Sequence, residues 1–354
     1  MFDKYIFEER TDDAQKSSEN TERQMVLFAD HTFHVSKADK YRFPTAQFGF
    51  HNQANFSPFI LQDFSQVLHR YMHLEAYCDA VDDLSGPLVK GRLELDNGGP
   101  DLFQALFFPR SIAPRTPMKP DAQTKMTETT LSSMWFRLVA HYFEWLAGIS
   151  ELQYFSDQDK LRLAVCQLCK VVCFSVFYAN YEAKDQRNDV LLFGSGYYWD
   201  PATSRDPLMD EYCDELYRAI NQIISPISKV GMTKEEYILT KLIVLFDCTN
   251  LLGISDDGLE FARSMCNKYR TILAQYVRFR AEELAEAESW TEEDIDKFSV
   301  DRMGLLLDMP IGMDKLGKMD DDSLAGLVEC NYGGMRGTLQ QQIHTESRKT
   351  RRLR

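Results

Sequence analysis

The stretch EWLAGISELQYFSDQDKLRLAV, residues 144–165, decides the fold. Its first half closes a long apolar stripe. Leu131, Met134, Trp135, Leu138, Tyr142, Trp145 and Ile149 recur at three- and four-residue spacing, which predicts one helix over 127–149. The chain then breaks. Ser156-Asp157-Gln158-Asp159 has the form of a capping box, the Ser156 hydroxyl capping an amide while Asp159 reaches back. The helix it opens runs to about Glu182 with almost no polar face. A surface helix keeps one side wet, whereas a helix that is apolar all round must be enclosed by others. This segment is therefore expected to cross the centre of a multilayer all-α domain.

Working outward, residues 1–56 mix charged, Ser/Asn-rich and aromatic stretches without period, which predicts a flexible arm. A first helix is expected over 57–84, from Phe64, Val67, Leu68, Tyr71, Met72 and Leu74. Prolines and the Gly98-Gly99-Pro100 run make 85–125 a surface excursion, with one short turn at 100–107. DVLLFGSGYYWDP, 189–201, has the signature of a small β-hairpin. Helices are expected again at 207–224, stopped by Pro226, and at 233–252, opened by the Thr233/Glu236 capping box. Others follow at 256–288, from the Thr291/Asp294 cap to Pro310, and at 320–330; after Gly333-Gly334 the chain is at best weakly helical. Residues 344–354 form a basic tail, with five positive charges between Arg348 and Arg354.

The chain has 354 residues and a net charge of −14, which opposes nucleic-acid binding by the body of the protein. The basic tail reads either as a solvated segment or as a nuclear-import or nucleic-acid contact. Eight sparse cysteines behind a charged N-terminus (MFDKYIFEERTDDAQ) fit reduced thiols in a cytosolic or nuclear compartment, with no secretory leader expected. The most apolar run, 161–179, is interrupted by Arg162, Gln167 and Lys170, so a soluble chain without a membrane span is expected.

Motifs of chemistry are few. Cys166, Cys169 and Cys173 share a helix face, but zinc wants four ligands and no second pair exists, so they read as small core hydrophobes. His69 and His73 have metalloprotease spacing without the adjacent glutamate, which leaves them on a partly exposed face. His141 and Glu144 form one inward-looking pair, read as a hydrogen-bonded core group or as an anchor for a ligand. Gly194-Ser195-Gly196 is followed by aromatics and not by a helix, so it is a turn and not a phosphate cradle. Nucleophile elbow, Walker sequence and triad are all missing. No enzyme, metal or cofactor is expected.

The order of elements is what resembles a known family. A long helix, a break, a capped apolar helix, a small hairpin and further long helices resemble the ligand-binding domain of nuclear hormone receptors, nematode-type. Trp145, Glu151-Leu152, Phe155, Ser156, Asp159-Lys160 and Leu161 carry the most specific part of the likeness. The hairpin, Glu236–Lys241 leading into Phe246, and Arg302 with Leu305–Leu307 and Pro310 are looser matches. The resemblance implies a three-layer antiparallel helical sandwich with one small β-hairpin over 57–343, acting in transcriptional regulation in the nucleus. It implies a lipophilic pocket walled by Met134, Leu138, His141, Cys169, Cys173, Phe177 and Phe193. It also implies a coregulator groove from Trp145, Leu146, Ala147, Ile149, Leu339 and Gln341. Other receptors or coregulators are the implied partners.

Two departures modify that expectation. The family's zinc-finger DNA-binding module has no counterpart, so no direct DNA contact is expected. Ala147 stands where the family has the lysine that grips a coactivator helix, Ser150 stands for its proline, and glutamines stand where the final helix has its acid, unless Lys170 takes the lysine's role. Pairing is expected along 290–310, and the eight acidic side chains in 282–296 favour a more basic partner over a second copy. Two other readings keep the fold: an interaction protein with a filled core that titrates partner receptors, and an intracellular lipid carrier.

Overall fold

The computed structural model describes residues 63–80 and 99–346. The arm at 1–56 and the basic run at 348–354 lie outside the described residues. Helix α1 (Phe64–Asp79) starts at Asp63, whose carboxylate takes the Ser65 amide, and ends at the extended backbone of Ala80. It is shorter than the predicted 57–84 because cap chemistry, and not the apolar stripe, sets its ends. Helix α2 (Leu102–Phe107) fills the position of the predicted short turn, with Asp101 and Gln104 forming its capping box.

The deciding stretch folds as read. Helix α3 (Glu128–Ala147) ends at Gly148, a 3-10 turn covers Ser150–Tyr154, and helix α4 (Asp157–Ala183) starts behind Ser156. One detail is added. The Ser156 hydroxyl accepts the Asp159 amide and donates to the Asp159 carboxylate at 2.9 Å, as expected, and that carboxylate also receives the amide and hydroxyl of Ser255, at 2.8 and 2.7 Å. Ser255 is the N-cap of helix α7 (Asp256–Glu288), so one aspartate ties the starts of two helices together. By length and composition α4 could cross a membrane, yet 67% of its most apolar window is buried inside the helical body.

Strands β2 (Leu191–Gly194) and β3 (Tyr197–Trp199) make the hairpin, turning through Gly194 and Gly196 at φ +80° and +78°. The hairpin is not alone. Strand β1 (Thr124–Lys125) joins β3 in parallel, Thr124 opposite Tyr197, and gives the order β1-β3-β2. Two residues are too few for an alternating pattern, so the third strand left no mark in the sequence.

Helix α5 (Pro207–Val230) continues through position 226, and helix α8 (Glu292–Glu329) continues through a buried Pro310, against the stops predicted at both prolines. An interior proline removes one amide donor and bends a helix, but does not end it when both flanks have apolar faces to bury. In α8 the stripe resumes beyond the proline with Met313, Leu316, Leu324 and Val328, which merges the two predicted segments into one. Helix α6 (Lys234–Phe246) opens with the expected Thr233/Glu236 box and stops at Asp247, earlier than read. The chain after Gly334 is more ordered than expected: a single turn α9 (Thr338–Gln340) leads into a π-helical turn, Gln341–Glu346.

Helices α1 and α3 pack on one side, α4 and α6 between, and α5 and α8 on the other, while α7 lies on α6 and reaches both α1 and α8. This is the three-layer sandwich. Helices α4 and α8 approach very closely at Gly317, where a Cβ would sit 2.7 Å from the Lys170 backbone nitrogen. Buried ions tie the layers. Arg302 of α8 pairs with Glu236 of α6, which brings two loosely matching sequence segments into one contact. The strongest knot is Glu151, 1% exposed, which accepts from Tyr269, Tyr71, Arg70 and Lys268 at 2.6, 2.7, 3.1 and 3.1 Å. Burial alone would raise its carboxyl, but Arg70 and Lys268 outweigh burial and hold it well below the usual carboxylate range.

Candidate functional site

Three of the seven pocket residues meet. Leu138, His141 and Phe193 line a cavity of about 70 Å³ between α1, α3, α4, α6 and the hairpin. Its other walls carry Glu75, Asp79, Glu182, Lys234 and Lys241, so it is more polar than a lipophilic site. Lys241 donates to Glu75 at 2.8 Å with its ammonium 4.4 Å from the Trp145 ring centre. Burial pulls that ammonium down, but Glu75, Tyr237 and Asp79 together more than offset it, and the net shift is upward. His141 meets Asp79 at 3.0 Å and not Glu144, which receives Arg115 and Arg110 at 2.9 and 3.2 Å. The expected His141–Glu144 pair is therefore replaced by three pairs with other segments, a choice that helix spacing cannot show. A cavity of about 70 Å³ has room for a few waters, whereas ligand pockets run from roughly 300 to 1,000 Å³.

The remaining four are elsewhere in the core. Met134 is 1% exposed and Phe177 is fully buried, its ring stacked 5.6 Å from Phe174. Cys169 and Cys173 lie beneath α8 beside Asp320 and Asp321, where burial pushes both thiols well above their ordinary range and makes them inert. Cys166 is half-buried, and His69 and His73 sit on an exposed face with their rings 4.3 Å apart, much as read.

Next to Cys169 is a group the sequence placed in the tail. His344 is wholly buried; its Nδ1 lies 2.8 Å from Asp321, and its Nε2 accepts the Trp135 indole N–H at 2.9 Å. Cys169, Asp321 and His344 offer ligand atoms within 4.8 Å of one another, a spacing a metal ion bridges. The hydrogen bonds argue otherwise. Accepting from Trp135 uses the Nε2 lone pair, so the ring proton sits on Nδ1, pointed at Asp321, and no lone pair is left for a metal. The trio is a latch that holds the C-terminal turn against α3 and α8. Beside it, burial pushes the Asp320 carboxyl up to about 6 while Tyr212 donates to it at 3.0 Å. The one local signal for this packing was the i, i+4 pair Leu339 and Ile343, both 1% exposed.

The groove residues divide in the same way. Trp145 turns into the cavity, while Ala147 and Ile149 are buried where α3 ends. Leu146 faces a shallow apolar trough between the end of α3 and the start of α4, shared with Leu152, Lys160 and Leu163. Leu339 is 1% exposed and Gln341 is exposed, while its neighbour Gln342 accepts the Leu102 amide at 2.7 Å, at the start of α2 and not in the trough. Lys170 is not at this surface. It is buried between α4 and α8 and pairs with Asp314 at 2.5 Å, so the lysine beside the trough is Lys160.

A family model for the ligand-binding domain of nuclear hormone receptors matches residues 116–292. Nuclear hormone receptor family member nhr-4 of Caenorhabditis elegans is 24% identical over 177 residues, which cover 50% of this chain and 35% of the relative. The chain thus spans about a third of the length of that relative. The matched residues 116–292 contain α3, α4, the small sheet, α5, α6 and α7, and so most of the cavity and trough walls; Glu75 and Asp79 of α1 and Leu106 and Phe107 of α2 lie before them.

Proposed function

Because the chain belongs to the nuclear hormone receptor ligand-binding domain family, we propose that it regulates transcription through protein contacts around a filled core. The observation that carries this reading is the cavity of about 70 Å³ with charged walls, against a core in which Met134, Phe177, Phe174 and Phe193 are each at most 1% exposed. Of the two occupants the family implies, a lipophilic ligand and a protein helix, the geometry favours the helix. The trough at Leu146 and Leu163 is the proposed coregulator surface. In this reading the protein works in the nucleus, in contact with another receptor or a coregulator.

The proposed partner face is the outer side of α8, where Val300 and Ile311 are 71% and 60% exposed. Arg278 pairs with Glu282, Glu292 and Asp296, and so neutralises part of the acidic run next to it. The uncompensated acids favour a partner with a more basic face.

Fused to an unrelated DNA-binding domain, the chain is expected to change reporter transcription in cells grown without lipophilic hormones. The same fusion with Leu146→Arg should lose that change while its expression level stays the same. A wild-type fusion that is silent until a lipophilic extract is added would overturn the filled-core reading.

A further inference from the structure

The trough is already occupied by the chain itself, and we propose that α2 is a built-in plug which a partner helix must displace; this rests on the coregulator reading of the trough. Leu102, Ala105 and Leu106 face inward at i, i+3 and i+4, and are 5%, 0% and 4% exposed. That spacing is how an amphipathic helix presents itself to a groove. Leu106 and Phe107 share a residual void of about 10 Å³ with Leu146, Leu152, Lys160 and Leu163. Phe103 and Phe107, both half-buried, meet at a tilt with ring centres 4.5 Å apart, and Gln104 is exposed.

The start of α2 is held by a side chain from another element, and a charged side chain lies near its end. At its start, the Leu102 amide has no partner inside the helix and donates to Gln342. At its end, Lys160 lines the same void as Phe107, and a positive charge there suits the helix dipole. A six-residue helix does not persist by itself in water, so the trough and the Gln342 acceptor hold it in place. Gln342 belongs to the turn latched by His344, which makes the plug dependent on the C-terminal segment being seated. The competing partner has the same chemistry as the plug: a short amphipathic helix of the form Leu-x-x-apolar-Leu. A tethered occupant competes at an effective concentration on the order of millimolar, so where plug and free helix share an intrinsic Kd of about 10–100 μM the free helix is weakened by about ten- to a hundred-fold.

The probe is a fluorescein-labelled peptide of residues 99–110 of this chain, titrated into the 354-residue chain, with hydrogen exchange at amides 102–107 followed in parallel. Leu102→Ser/Leu106→Ser is expected to release those amides and to bind the probe at least about ten-fold more tightly than wild type. Gln342→Ala leaves the apolar face intact and should give a smaller gain with partial release, so it decides the question if the double variant does not fold. Equal probe binding by wild type and variants, with α2 released, overturns the plug and leaves the coregulator trough standing. Binding by none of them, with α2 released, overturns the trough and the plug together.

Discussion

Glu151→Gln is expected to cost about 3–5 kcal/mol of folding stability, the largest loss foreseen for any single conservative change in this chain. The substitution keeps the shape and removes the charge. Arg70 and Lys268, with side chains 12% and 6% exposed, would then stay buried without their shared anion. Tyr71 and Tyr269 would lose a charged acceptor as well. The sign of the pH dependence follows from the depressed carboxyl. A group held below its unfolded value stabilises fully above that value and loses its contribution as pH falls. Glu151 starts from 4.5, so wild-type stability should decline as pH drops below about 4.5, and the Gln variant should lack that part of the slope. Urea unfolding between pH 3.5 and 7 measures both quantities. A loss under about 1 kcal/mol would mean that the cluster is well solvated and does not tie α1, the 150–154 turn and α7 together.

His344→Ala is expected to cost about 2–4 kcal/mol, because it opens a cavity and leaves the Trp135 N–H and the Asp321 carboxylate without the ring between them. Its effect should be local as well as global. Amides in 338–346 should exchange faster by more than the global stability change allows, since the latch is the main polar tie of that turn to α3 and α8. Hydrogen exchange of the variant at neutral pH separates the two effects. Unchanged protection over 338–346 would show that Leu339 and Ile343 alone hold the segment.

What the sequence made legible was what local chemistry encodes. Ser156, Thr233 and Thr291 cap the helices they were expected to cap, because an N-cap is settled within four residues. The enclosed character of α4 was legible from its lack of a polar face. Pairings across the chain were not. Asp159 reaches back to Ser156 as read but also serves Ser255, a partner the sequence did not show; His141 was paired with Glu144 and meets Asp79. His344 was assigned to a basic tail because a histidine near five positive charges looks solvated, yet Trp135 and Asp321, 209 and 23 positions away, supply its partners. For the site, the apolar residues of 134–177 were rightly placed inside the molecule, but burial in a wall and burial in a filled core give the same pattern. Only the packing of Phe174, Phe177 and Tyr181 against one another distinguishes them.

The central claim is that this receptor-type domain works with its core filled by its own side chains. Native mass spectrometry of the full chain, purified from eukaryotic cells without detergent, tests it most directly. The account predicts a species at the polypeptide mass of 41.0 kDa with no retained small molecule. A lipophilic compound carried one-to-one through purification and released on denaturation would contradict it.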